Sequence, residues 1–192
     1  MRNRPLIGSS LALIAGYWVL KYALVGNVNE ERLVALGGMY HWSALTALTA
    51  GWAVWLVRRS RSTLSFWGDF KLLAKPAVVY ALMASASVFG WNHLLARNSV
   101  ELRKALRIAQ IEANTATDSA FETFAEKLPM DQQARLPERE SYREQALAQV
   151  EWMHSGGVTL VLSLLTYLFA SVVLALGATL LAHHIWGVSS LR

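Results

Sequence analysis

Between Glu151 and Arg192 the chain carries no Asp, Glu, Lys or Arg. A run of that length, filled with Leu, Val and Ala, is more than the roughly 20 apolar residues a helix needs to cross a hydrocarbon layer about 30 Å thick. Three more blocks share the pattern. One runs from Leu6 to Gly26, broken only by Lys21; a second from about Leu33 or Tyr40 to Val57; a third follows Pro76 and reaches about Ala96. Only 16% of the residues are charged while 54% are hydrophobic, against about 25% charged in soluble domains. The sequence predicts an all-α integral membrane four-helix bundle, with an extracytoplasmic helical hairpin between spans three and four. Residues 1–96 hold the first three spans and a basic loop at 58–75. Residues 97–155 form the hairpin, and 156–192 the last span and a short tail.

Orientation follows from where the bases collect, because cytoplasmic loops are enriched in Lys and Arg. Arg2, Arg4, Arg58, Arg59, Arg61, Lys71, Lys75 and Arg192 fall on one side, opposed there only by Asp69. The segment from Arg97 to Ser155 holds eight bases and ten acids. The basic side is therefore expected in the cytoplasm, with both termini. Arg2 and Arg4 before an apolar block resemble a signal peptide, but the block is longer than a usual h-region and no A-x-A site follows it. A retained span is expected.

The loop has Leu64, Phe66, Trp67, Phe70 and Leu72 among its bases. This predicts an interfacial segment whose Arg58, Arg59, Arg61, Lys71 and Lys75 meet anionic headgroups. The net charge of +5 is thereby assigned to lipid rather than nucleic acid. In the hairpin, Leu102, Leu106, Ala109 and Ala113 follow helical spacing, with Ile108 and Ile111 on an adjacent stripe. After Pro129 and Pro137 a second helix is expected to turn Tyr142, Ala146, Val150 and Met153 inward.

Helices in lipid associate through small residues that let backbones approach closely. Each span offers such a row at intervals of four: Gly8/Ala12/Gly16, Ser43/Ala47/Gly51, Ala77/Ala81/Ser85 and Ser171/Ala175/Thr179. Lys21 is expected to snorkel to the outer boundary, and no acid falls within any of the four spans as bounded above. His41, His93 and His154 each lie near a tryptophan (Trp42, Trp91, Trp152) at the expected outer boundary. They read either as an aromatic belt or as imidazole ligands of a metal or haem. His183 and His184 read as interfacial. With no cysteine, thiolate sites are excluded. No phosphate-cradling glycine loop, nucleophile elbow or H-E-x-x-H motif occurs.

The order of two spans, a loop reading Ser65-Phe66-Trp67-Gly68-Asp69-Phe70-Lys71, a third span, an acidic helical segment and a last span rich in Leu, Ser and Ala resembles a bacterial inner-membrane family known as domain of unknown function 4199. The resemblance implies placement in a cytoplasmic membrane and supplies no activity. The expectation is a non-enzymatic scaffold or accessory subunit. Its hairpin binds a partner or a second copy, within a homo-oligomer or a larger membrane complex, with lipid contacts and no resident cofactor. The alternatives are a small oligomeric channel or transporter lined by Thr46, Thr49, Ser85 and Ser87, the metal or haem protein, and, last, a sensor.

Overall fold

A computed structural model describes residues 4–59 and 65–185. Within them the chain is helical: α1 (Arg4–Leu24), α2 (Glu30–Arg59), α3 (Phe66–Gly90), a π turn at Trp91–Leu95, α4 (Arg97–Thr115), α5 (Asp118–Glu126), α6 (Met130–Gln133), α7 (Arg139–Met153) and α8 (Gly156–Ile185). Three helical segments are long and apolar enough to cross a membrane: Ile7–Leu24, Phe66–Leu95 and Gly156–His184. The second block expected from the sequence lies in α2, where Leu33 to Val57 is free of charge but diluted by Gly, Thr, Trp and His.

The chain forms two compact units, one of Met1–Val88 with Val161–Arg192, the other of Phe89–Leu160. In the first, α2, α3 and α8 share a core of Leu45, Leu48, Ala77, Tyr80, Ala84 and Ala170, against which Leu13 and Ile14 of α1 pack. A second cluster joins Ala53 and Leu56 of α2 to Leu73 of α3 and Ala175 of α8. α1 ends where Gly26 takes φ +81°, a left-handed conformation that glycine adopts without steric cost. Asn29 then opens α2, its Oδ1 accepting from the Arg32 backbone N–H at 2.9 Å, as an N-cap does.

The third span begins earlier than its sequence suggests. A proline inside a helix removes a backbone donor and crowds the preceding turn, so Pro76 reads as a helix start. In the structure α3 runs through it from Phe66, and Pro76 is fully buried. Membrane-type helices tolerate such a proline when neighbouring groups satisfy the freed backbone. One residue on, Ser171 Oγ of α8 lies 3.0 Å from the Ala77 carbonyl and 2.7 Å from the Tyr167 carbonyl. The second half of the expected loop, with Lys71 and Lys75, is thus helix.

The second unit is built on α4 and α7. Ion pairs to α7 run in opposite order to the chain, Lys104–Glu151 at 2.8 Å and Glu112–Arg143 at 3.8 Å from α4, then Asp118–Arg139 at 3.1 Å from the start of α5, so α4 and α7 are antiparallel. Arg139 also donates to the Thr115 and Ala116 carbonyls at 3.1 and 3.3 Å, closing the end of α4. Phe121 and Phe124 of α5 pack on Tyr142, centroids 5.5 and 5.3 Å away. The Lys104 ammonium is held above the usual lysine range, first by its hydrogen bond to Glu151.

Candidate functional site

An ionisable group inside an apolar helix is costly, so it marks a candidate site. The first unit contains two such places. The larger surrounds His41, which is wholly buried, together with Tyr17, Tyr80 and Tyr167. His41 Nδ1 lies 2.8 Å from the Tyr80 hydroxyl, and its ring is 4.2 Å from Tyr17 and 5.3 Å from Tyr167, centroid to centroid. Nε2 is buried with no hydrogen-bond partner. Four helices supply this cage: α1 gives Tyr17, α2 gives Tyr40 and His41, α3 gives Tyr80, and α8 gives Tyr167. Tyr40 fixes one wall by donating to the Leu13 carbonyl at 2.7 Å.

Two expectations are corrected here. Lys21 does not snorkel: it is only 4% exposed, its Nζ 5.7 Å from the centre of the Tyr17 ring and its Cε against Gly37. His41 is not part of a boundary belt, although the neighbouring Trp42 is exposed. The helical phase of α2 explains why. His41 shares its face with Leu33, Gly37, Ala44, Leu45 and Leu48, all buried, and reading that spacing would have found it.

The second place joins Asp69, in the first turn of α3, to His183, in the last turn of α8. Nε2 of His183 and Oδ2 of Asp69 are 2.9 Å apart. The side chains are 1% and 16% exposed, and the Phe66 ring meets the imidazole edge-on at 5.5 Å. Because α3 extends back to Phe66, an acid does lie within an apolar helix, contrary to the expectation, and His183 is bonded rather than merely interfacial. His184, the next residue, is exposed, as a turn of about 100° per residue requires.

The three outer histidines expected as a possible metal or haem set do not share a site in the first unit, since His93 and His154 belong to the second. His93 sits in the π turn, stacked on Phe89 at 5.2 Å with its Nε2 3.1 Å from Thr159 Oγ1. His154 Nδ1 lies 2.9 Å from the Val150 carbonyl. Among the described residues no group of three or more His, Asp or Glu side chains is placed to hold a metal ion. Of the tryptophans beside them, Trp152 is exposed and Trp91 buried.

The small-residue rows fall on different faces. Ala77, Ala81 and Ser85 of α3 and Ser171, Ala175 and Thr179 of α8 are buried. Gly16 of α1 is a close approach, where an added Cβ would lie 2.6 Å from the Tyr40 hydroxyl. Gly8 has open space around it and Ala12 is exposed. Ser43, Ala47 and Gly51 are all exposed, because the inward face of α2 is taken by His41, Leu45 and Leu48. The hydroxyls expected to line a path are engaged. Thr46, Thr49 and Ser85 donate to carbonyls of their own helices at 2.8–2.9 Å, and Ser87 accepts from the Trp18 indole N–H. Of the expected headgroup contacts, Arg58, Lys71 and Lys75 are exposed. Arg61 lies outside the described residues, as does the Arg59 side chain.

In the second unit the Leu102 stripe of α4 faces outward. Leu102 and Leu106 are 56% and 63% exposed, with Ala109 and Ala113 exposed beside them. The face against α7 is formed by Val100, Lys104, Ile108, Ile111 and Thr115, because the ion pairs fix Lys104 inward. Ala113 continues into an open cleft of about 610 Å³ bordered by Asn114, Thr117, Phe124 and Lys127. On α7, Val150 is buried as expected but Met153 is 52% exposed.

No protein-family model, curated protein or solved structure matches the chain.

Proposed function

We propose that the protein is a non-enzymatic accessory subunit of a membrane complex, and that its α4–α7 hairpin docks on a partner protein through the Leu102/Leu106 stripe. The exposure of those two leucines carries the reading. The opposite side of α4 is closed by packing and ion pairs to α7, so the hairpin holds its shape without them. Two leucines one turn apart, left open on a helix otherwise rich in charge, offer a partner helix the i, i+4 anchors that groove-binding contacts use.

In this proposal α2 also crosses the bilayer, giving a four-helix membrane bundle with both termini cytoplasmic and the hairpin outside. The distribution of Lys and Arg supports that orientation. The resemblance in layout supports a bacterial inner membrane, where Arg58, Lys71 and Lys75 meet anionic headgroups.

The test is co-purification from native membranes with Leu102→Glu and Leu106→Glu combined. The variant is expected to insert and to retain its helix content while losing its stoichiometric partner. Retention of every partner would sink the docking role. A loss of self-association alone would make a second copy the occupant.

The second reading, a channel or transporter, is favoured by one observation, the enclosure of Asp69–His183 and His41 between apolar helices. Flux into proteoliposomes above that of empty vesicles, abolished by Asp69→Asn, would establish it in place of the first.

A further inference from the structure

We propose that the cleft between α4 and α5 binds a carboxylate from an acidic segment of the partner protein, which rests on the docking role given to Leu102/Leu106. The cleft, about 610 Å³, falls within the roughly 300–1,000 Å³ that ligand sites occupy. Gln110, Ala113 and Asn114 border it from α4, and Thr123, Phe124 and Lys127 from the side of α5. No carboxylate lines it, although the segment from Arg97 to Ser155 holds ten acids against eight bases. The helical phase of α5 explains the exclusion. Asp118, Glu122 and Glu126 recur every fourth residue along one exposed face. Ala120, Thr123, Phe124 and Lys127 follow i, i+3, i+4 and i+7 along another.

What the cleft presents is donors. The Gln110 Oε1 accepts from Arg107 at 2.7 Å, so its amide N–H groups are what it has left. Thr117 Oγ1 accepts from the Ala120 backbone N–H at 3.1 Å, which leaves its hydroxyl hydrogen to donate. Lys127 is exposed and its ammonium enters no ion pair among the described residues. One ammonium balances one carboxylate, whereas a phosphate brings a charge of about −1.5 to −2. The single cation therefore selects the carboxylate. An exposed ion pair contributes little by itself, so the amide and hydroxyl donors supply the discrimination, and a partner already held at the leucines supplies proximity. The two contacts are continuous. Ala113, on the border of the cleft, stands eleven residues beyond Leu102 on the same exposed stripe, about 16 Å at the rise of a helix. A protein lying along the stripe reaches the cleft.

The experiment uses the full chain in phosphatidylcholine nanodiscs, labelled with ¹⁵N-asparagine, and follows the Asn114 side-chain amide. The probes are N-acetyl-triglutamate amide, N-acetyl-triserine amide and glutarate. The glutamate peptide is expected to shift the Asn114 signal to saturation, and the serine peptide to leave it in place. Lys127→Gln, an exposed change outside the ion pairs of the hairpin, is expected to raise the apparent Kd about tenfold, as loss of a charged hydrogen bond does. Leu102→Ser with Leu106→Ser is expected to bind the peptide as the wild type does. The cleft and the docking role are thereby judged apart: peptide binding decides the first, and partner retention by leucine variants the second. In native membranes Lys127→Glu is expected to lower the yield of the co-purifying partner, and an unchanged yield overturns the partner segment as occupant. Equal shifts from the serine peptide, or an unchanged Kd in Lys127→Gln, overturn the proposal outright. Glutarate binding as tightly as the glutamate peptide overturns it in favour of a small free acid.

Discussion

Gly16 and Gly8 stand two turns apart on α1 and look equivalent in the sequence, yet only one is pinned. A methyl at Gly16 would meet the Tyr40 hydroxyl at 2.6 Å, and that hydroxyl is the group holding the Leu13 carbonyl. Gly16→Ala is expected to cost roughly 1–3 kcal/mol, as overpacking does, and Tyr40→Phe in the same chain is expected to return part of it. Gly8→Ala, with open space, is expected to stay within about 0.5 kcal/mol; thermal melting in detergent separates the three. Tyr80→Phe leaves both nitrogens of His41 buried without a partner, and a stranded polar group of this kind costs about 1–3 kcal/mol. The same assay is expected to show that loss, and His41→Phe combined with Tyr80→Phe is expected to recover stability. The sequence exposes these residues only partly. Lys21 is visible as a charge in an apolar block, and Tyr17 lies one turn before it, but whether a long side chain reaches the boundary or folds inward also depends on Gly37, which belongs to another helix. Asp69 was hidden by a rule that holds in water, where Pro76 would begin a helix rather than sit within one.

At the scale of elements, α4 and α7 show how charge overrides hydrophobic spacing. The Leu102/Leu106 stripe satisfies helical periodicity, as does Ile108/Ile111, and periodicity alone cannot choose between them. The choice is made by Lys104–Glu151, Glu112–Arg143 and Arg139–Asp118, partners separated by up to 47 positions and so invisible to a local reading. Arg139 contributes a planar fork that reaches Asp118 and two carbonyls at once, a geometry lysine cannot copy. Arg139→Lys is therefore expected to speed amide exchange at the C-terminal turn of α4 in the intact chain, while Arg107→Lys leaves it unchanged. Lys104 and Glu151 make a different contribution. The raised Lys104 value means that the contribution is complete below the ordinary lysine value of 10.5 and fades only as pH climbs through the folded one. Glu151→Gln is thus expected to loosen α7 equally at acidic and neutral pH above the carboxylate range. Added salt is expected to erase the effect, because exposed pairs are screened.

For the molecule as a whole, the apolar blocks were legible because a bilayer imposes a length that no soluble core does. Three of the four blocks lie in helices that meet that length with sufficient hydropathy, and α2 is the one that Gly, Thr, Trp and His dilute. Its crossing is a matter for topology mapping, for which the chain is suited, having no cysteine of its own. Single cysteines at Asn27, Lys71 and Lys127 distinguish the arrangements. If α2 crosses, Asn27→Cys and Lys127→Cys are expected to react with an impermeant maleimide on intact cells, and Lys71→Cys only after permeabilisation. Labelling of Lys71→Cys on intact cells would remove α2 from the membrane-crossing set.

The unit spanning Phe89–Leu160 is entered by way of α3 and left by way of α8, and those two helices are tied to each other at Asp69–His183 and again where Ser171 meets the Ala77 carbonyl. It is therefore spliced into a frame that closes without it. A descendant gene is free to lengthen, trim or exchange that insert while the helices on either side keep their partners, so divergence among relatives is expected to concentrate between α3 and α8.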